Sequence, residues 1–146
     1  MKVLDLDMDF FLTDACPLAP QGERPPESCA RPYGDEQVIA FLEEQCGLSR
    51  AHPVPGRIFD THDKALDFWL AQMEAGKLQP PFDVVHVDTH SDLAFGPPGT
   101  DFVLKAVLTR NPRARATLGA YREGKKLDEA NYLLFALAFR WISRLA

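Results

Sequence analysis

The segment at residues 82–93, FDVVHVDTHSDL, begins as an apolar run and then places Asp88, His90 and Asp92 at alternate positions. Side chains two residues apart on an extended strand point the same way, so these groups would converge on one face, which also includes His86. Carboxylates that are forced together repel one another, and a buried unpaired charge destabilises the fold or shifts its pKa. A divalent cation would supply the compensating charge. The competing interpretation, a hydrogen-bonded core histidine beside acids that cap helices, does not explain the shared face.

A second acidic motif ends the apolar run VLDLDMDFFL near the start of the chain. Asp7 and Asp9 would share one face by the same rule and Asp5 would join them, so the sequence does not fix which of Asp5 and Asp7 pairs with Asp9. A further ligand could come from His62, which is predicted at the junction of a short strand and a helix. Oxygen-rich sites that include imidazole favour manganese, with iron and zinc as further candidates. The sequence therefore predicts a metal site built from three strand ends.

Strand and helix signals alternate along the chain. The predicted strands cover residues 3–12, 57–59 and 84–89, and the predicted helices cover residues 35–46, 63–75, 102–109 and 127–145. A proline-rich loop is expected at residues 13–33, Thr61 is a predicted N-cap, and Gly47 and Gly76 are predicted C-terminal caps. This alternation predicts an α/β fold, a three-layer sandwich with a mostly parallel sheet, whose ligand site lies at the carboxyl ends of the strands. We predict a single domain over residues 1–146.

Composition argues against several classes of function. The net charge of −5 gives no bulk electrostatic reason to bind nucleic acid or an anionic membrane, and the basic clusters at residues 110–115 and 122–126 are interpreted as solvated loops. No apolar run approaches the roughly 20 residues of a membrane span. The cysteines are odd in number, form no CxxC pair and follow no signal peptide, so we expect packing cysteines in a cytoplasmic protein. Trp69 and Trp141 are assigned to the core.

Both acidic motifs resemble those of a known enzyme family. VDTHSDL is similar to the D-A-H-x-D motif of the ureohydrolases, the arginases and agmatinases, and DLDMDFF is similar to their D-x-D motif. In ordinary arginases the D-x-H-x-D motif comes first, whereas here it comes second. That order, with the segments FLEEQCGLSR, HPVPGRIFDTHDKALDFW and NYLLFALAFRWIS, resembles the peptide arginases, which convert arginine within peptides to ornithine. The resemblance implies an arginase-like fold and an arginine-containing peptide as substrate.

The resemblance also implies two Mn²⁺ ions and a role for each residue of the site. Asp88 and Asp7 would bridge the ions, His90 and Asp9 would serve one ion, and His62 and Asp92 would serve the other. The ions would activate a water for attack on the guanidinium carbon, releasing urea. Asp92 is the catalytic candidate that orients this water and passes a proton to the leaving nitrogen. Asn131 is either a substrate-binding residue or a polar residue at a helix N-terminus or packing seam.

This chain departs from the ureohydrolases in two respects. It is much shorter than their domains, so we expect a C-terminally truncated domain whose exposed sheet edge could favour a homo-oligomer. It also has no clear match for the additional catalytic histidine and glutamate of ordinary arginases. Three alternatives therefore stay open: a haloacid-dehalogenase-like phosphatase with Asp5 or Asp7 as nucleophile, a single-zinc deacetylase-like hydrolase, and a non-catalytic metal-binding module.

Overall fold

The computed structural model describes residues 1–13, 31–94 and 99–146, and it has the predicted α/β class. A small parallel sheet with strand order β1-β2-β3 is built from β1 (Lys2–Leu6), β2 (Phe82–Val87) and β3 (Ile142–Leu145). β2 pairs parallel to β3 with Phe82 opposite Ile142, and the register shifts directly after that pair. β1 runs in the same direction as β2, because Asp83 N donates to Met1 O and Asp7 N donates to Val87 O.

Helices connect the strands. They are α1 (Asp35–Glu44), α2 (Lys64–Glu74), α3 (Gly99–Phe102) with a π-helical continuation at Val103–Val107, α4 (Leu118–Glu123) and α5 (Tyr132–Ala138), with 3-10 turns at Met8–Phe11 and Pro112–Ala114. The predictions for α1, α2 and the helix near residues 102–109 are confirmed. Gly47 and Gly76 follow α1 and α2 with φ of +67° and +69°, the left-handed conformation of a helix C-terminus. Thr61 is not the N-cap of α2, since Asp63 holds that position and Thr61 Oγ1 donates to its carboxylate.

The described residues form two compact units. The large unit comprises Met1–Asp5, Ile58–His86 and His90–Ala146, and the small unit comprises Leu6–Arg57 and Val87–Thr89. The core of the large unit is formed by apolar side chains of α2, β2, α5 and the π-helical turn, among which Leu66, Phe82 and Tyr132 have no exposed surface. Trp69 and Trp141 belong to this core, as predicted.

The small unit is packed by aromatic rings rather than by a continuous core. The ring of Phe41 on α1 lies 5.0 Å from that of Phe10 and 5.5 Å from that of Phe11, and Phe11 also contacts Tyr33. α1 has no fully buried residue. The two ends of the proline-rich segment meet, because Leu12 pairs with Pro32. Most of that predicted loop, including Cys16 and Cys29, lies outside the described residues.

Two predicted strands are wrong at their carboxyl ends. β1 stops at Leu6, since Asp7 caps the 3-10 turn that follows, and β2 stops at Val87 rather than continuing to residue 89. The expected strand at residues 57–59 is not formed, although the structure describes those residues. After β1 and β2 the alternating polar pattern marks a turn that follows a strand, which periodicity alone cannot distinguish from a longer strand.

The predicted helix at residues 127–145 is also wrong, because a helix and a strand share that segment. α5 ends at Ala138, whose carbonyl accepts a hydrogen bond from the buried side chain of Arg115, and Arg140 then adopts a φ of +63°. β3 follows and pairs with β2. Arg115 was expected in a solvated loop, but its guanidinium also donates to the carbonyls of Leu108 and Arg110. No helix in the described part of the chain is long and apolar enough to cross a membrane.

Candidate metal centre

Three carboxylates of the small unit lie where β1 and β2 end. Asp7 directly follows β1 and Asp88 directly follows β2, and the bond from Asp7 N to Val87 O, 2.9 Å, aligns the two strand ends. Asp7 Oδ1 accepts a hydrogen bond of 3.0 Å from Asp9 N and so begins the 3-10 turn that brings Asp9 back towards the strand ends. Asp9 is in turn held by Thr89, whose hydroxyl donates to Asp9 Oδ2 at 2.9 Å.

Asp88 is the centre of this acidic group. One of its carboxylate oxygens lies within 4.8 Å of an oxygen of Asp7, and one lies within 4.8 Å of an oxygen of Asp9. One oxygen of Asp9 and one of Asp88 are buried. Carboxylates at such separations repel one another strongly when water is excluded, and a divalent cation is the partner that removes the repulsion. All-oxygen donors of this kind fit a hard cation such as Mn²⁺.

The large unit holds a group of histidine and acid side chains. His62, in the turn before α2, has its Nδ1 2.7 Å from Asp92 Oδ2, and Asp92 is only 7% exposed. The imidazole of His62 stands edge-on to the ring of Tyr132, 5.8 Å away, in the core. Asp92 adopts a φ of +46°, an uncommon conformation for aspartate, which turns its side chain inward after β2. Imidazole beside carboxylate is a donor pair suited to manganese, iron or zinc.

His86 and Asp5 extend this group; Asp5 was left open as an alternative to Asp7, and His86 was not predicted as a ligand. They lie on the neighbouring strands β2 and β1, and His86 Nδ1 is 3.2 Å from Asp5 Oδ2. The hydroxyl of Tyr132 donates to the same oxygen of Asp5. His86 Nε2 lies 4.0 Å from Asp92 Oδ2. The signal that could have found this pair is the alternation itself, because His86 falls on the face expected for the acids and Asp5 precedes Asp7 by two residues.

Arg122 on α4 fixes the segment that carries His62. Its guanidinium donates to the carboxylate of Asp63 at 2.6 Å, to the backbone carbonyl of Asp63 at 2.7 Å and to both carboxylate oxygens of Asp67. Burial opposes the charge of Arg122, but the hydrogen bonds to Asp67 and Asp63 outweigh it and hold the pKa above its ordinary value. Sequence reasoning assigned Arg122 to a solvated loop, whereas it is 28% exposed and lies in an ion-pair network.

The predicted ligands divide evenly between the units. Asp7, Asp9 and Asp88 lie in the small unit, while His62, His90 and Asp92 lie in the large unit. Within the small unit the structure groups the three carboxylates, and within the large unit it groups His62 with Asp92, while His90 is exposed. The reason given for their convergence, an extended strand through residue 92, is wrong, because the chain turns after Val87.

Asn131 lies at the N-terminus of α5 and is 4% exposed. Its side-chain oxygen accepts from Asp128 N at 3.1 Å and its amide donates to the carbonyl of Lys126 at 3.0 Å. These bonds favour the interpretation of Asn131 as a helix-terminal residue that satisfies nearby backbone groups. A contact with substrate stays a prediction.

Comparison with known proteins adds no assignment, since no family model, no curated protein and no solved structure matches this chain.

Proposed function

We propose that this chain is a dimanganese hydrolase that cleaves the guanidinium group of arginine in a peptide, leaving ornithine and releasing urea. The single observation that carries this proposal is the acidic group of the small unit, in which Asp88 shares close approaches with both Asp7 and Asp9. A carboxylate that lies beside two others is suited to bridge two cations. The sequence resemblance to the peptide arginases supplies the reaction and the substrate class.

The resemblance to the peptide arginases supplies the ligand set of the proposed centre. Asp88 and Asp7 would be shared by the two ions, Asp9 and His90 would serve one ion, and His62 and Asp92 would serve the other. Such a pair of divalent ions would supply an activated water, whose pKa would fall towards about 7.

The residues of the chain supply orientation and proton transfer. Asp92 accepts the proton of the attacking water and delivers it to the leaving nitrogen, and its hydrogen bond to His62 fixes the carboxylate for this role. The burial of Asp92 excludes competing water from the carboxylate. Acid-rich surroundings favour a cationic guanidinium over a neutral or anionic substrate.

The chain also fits the reducing cytoplasm, where thiols stay free. Cys46 is a half-buried free thiol, and burial raises its pKa above the ordinary value, which makes it less reactive. Cys46 therefore behaves as a packing residue rather than as a nucleophile.

Urea release from an arginine-containing peptide, measured with added Mn²⁺, tests the proposed reaction. The wild-type chain should release urea and leave ornithine in the peptide, and Asp92→Asn should stay folded and release none. Asp60→Asn is the matched control, because Asp60 is an exposed acid two residues before His62 whose partner is Lys64, and it should leave the rate unchanged.

Three results would replace the proposed function. Full activity of Asp92→Asn would refute the role of that residue. Metal binding without urea from any arginine peptide would favour a non-catalytic metal-binding module. A phosphoenzyme formed with Mg²⁺ would favour the phosphatase alternative.

A further inference from the structure

The interaction between His86 and Asp5 determines which nitrogen of the imidazole carries a proton. An ionised carboxylate can only accept hydrogen bonds, so the ring nitrogen beside it, Nδ1, carries the hydrogen. Tyr132 donates its hydroxyl to the same carboxylate oxygen and so holds the side chain of Asp5 in place. In the neutral imidazole the lone pair then lies on Nε2.

Nε2 lies at a distance from Asp92 that suits two ligands of one ion. Nε2 is buried, the His86 side chain is 9% exposed, and the distance from Nε2 to Asp92 Oδ2 is 4.0 Å. That distance is too long for a hydrogen bond. It is shorter than about 4.2 Å, twice the usual distance from a metal ion to a nitrogen or oxygen ligand, so one ion can contact both atoms.

We infer that His86 is a metal ligand through Nε2, with Asp5 and Tyr132 as positioning residues that fix its ring. A metal-binding histidine almost always donates its other ring N–H to a carboxylate or carbonyl, which is the arrangement of His86 and Asp5. This inference rests on the proposed function, because it assigns an additional ligand, beyond the six predicted residues, to the ion served by Asp92.

A purely structural role for His86 is the competing explanation. Asp5 would then need the histidine only as a hydrogen-bond donor, and Nε2 would have no ion to contact. The two explanations differ in the metal-loaded protein and not in the fold, so the test must follow the metal directly.

Titration of the full chain with Co²⁺, followed by visible absorption and equilibrium dialysis, tests the inference. We expect His86→Ala to remove one ion or weaken its binding by more than about 100-fold, and Asp5→Asn to weaken it by about 10–100-fold. The matched control is His52→Ala, because His52 is an exposed histidine of the small unit and its loss should change neither the stoichiometry nor the spectrum.

A second measurement needs no variant and so is independent of folding defects. In the Zn²⁺-loaded wild-type chain, long-range ¹H–¹⁵N spectra should show His86 with a protonated Nδ1 and an Nε2 shifted by metal coordination. Unchanged Co²⁺ binding in His86→Ala, or an unshifted Nε2 in a chain that binds metal, would overturn the inference alone. A wild-type chain that binds no metal would overturn both the inference and the proposed function.

Discussion

The large and small units hold their acidic residues by different means. In the large unit, side chains anchored in a buried core reach the site: Tyr132 has no exposed surface, and its hydroxyl holds Asp5, while Arg122 holds the segment before His62. In the small unit, Asp7 and Asp9 are held by a short 3-10 turn and by local backbone and hydroxyl bonds. α1, the only helix in the described part of that unit, buries no residue completely.

The two units therefore differ in how far the fold alone orients the side chains that could bind a cation. The donors of the large unit have oriented protein partners, so their geometry is a property of the fold. The donors of the small unit are mostly negative charges beside one another, so we expect a bound cation to stabilise their arrangement. Removing a partner that holds a donor of the large unit should therefore destabilise the chain, whereas removing the carboxylate of Asp88 from the small unit should stabilise the metal-free chain.

The largest expected effect is that of truncating Tyr132. Tyr132→Ala should destabilise the chain by about 3–5 kcal/mol, because it empties a fully buried site in the core and removes the donor to Asp5. Phe41→Ala in the small unit should cost about 1–2 kcal/mol, because that ring is only half-buried. The free energy of unfolding, measured with urea as denaturant, checks this prediction. An equal loss of stability in Tyr132→Ala and Phe41→Ala would contradict the contrast between the units.

Removal of the Arg122 side chain should have the next largest effect. Arg122→Ala should destabilise the chain by about 2 kcal/mol, because Asp63, only 15% exposed, loses a charged hydrogen-bond donor. Arg122→Lys should recover part of this loss, since lysine keeps the charge but cannot donate to two carboxylates and a carbonyl at once. Lys105→Ala is the control, because the pair of Lys105 and Asp101 is exposed and its loss should leave the unfolding midpoint unchanged.

Substitution of Asp88 should raise the stability of the metal-free protein, unlike the substitutions of Tyr132 and Arg122. Asp88→Asn should stabilise the chelator-treated chain by about 1 kcal/mol, because it removes the repulsion of the Asp88 carboxylate by those of Asp7 and Asp9. The same substitution should abolish the stabilisation that added Mn²⁺ gives the wild-type chain. Thermal unfolding with a chelator and then with Mn²⁺ measures both effects, and a metal-free variant that is less stable than the wild type would contradict the repulsion.

The smallest expected effect depends on pH. Burial, followed by repulsion from Asp63 and Asp92, raises the pKa of Asp128 above its ordinary value of 3.8. A carboxyl with a raised pKa binds its proton more tightly in the folded state, so its ionisation lowers stability as pH rises from near 3.8 through the raised pKa. Asp128→Asn should therefore be more stable than the wild type at neutral pH with a chelator present. The difference should vanish in acid, and a difference that grows as pH falls would contradict this prediction.

The helices and strands that local sequence determines were predictable. α1 and α2 have apolar residues at helical spacing and glycine at their ends, and β2 is an apolar run between turn signals. β3 was not predictable, because ISRL is a short segment whose conformation is decided by pairing with β2 rather than by its own pattern. The turns after β1 and β2 were missed since acids at alternate positions fit a strand and a capped turn equally well.

The acidic part of the site was also predictable from local sequence. Asp7 and Asp88 each follow an apolar run directly, and parallel strands bring such positions together. The supporting contacts were not predictable, because Asp5 and His86 are 81 residues apart and Arg122 and Asp63 are 59 residues apart. Such contacts depend on strand order and helix packing, which no local motif specifies.

The most direct test of the account is the number of manganese ions bound per chain. Equilibrium dialysis of the wild-type chain against Mn²⁺, followed by elemental analysis, should give about two ions per chain, and the same measurement on Asp88→Asn should give none. A wild-type chain that retains no manganese, or an Asp88→Asn variant that retains as much as the wild type, would contradict the claim that these carboxylates form a metal centre.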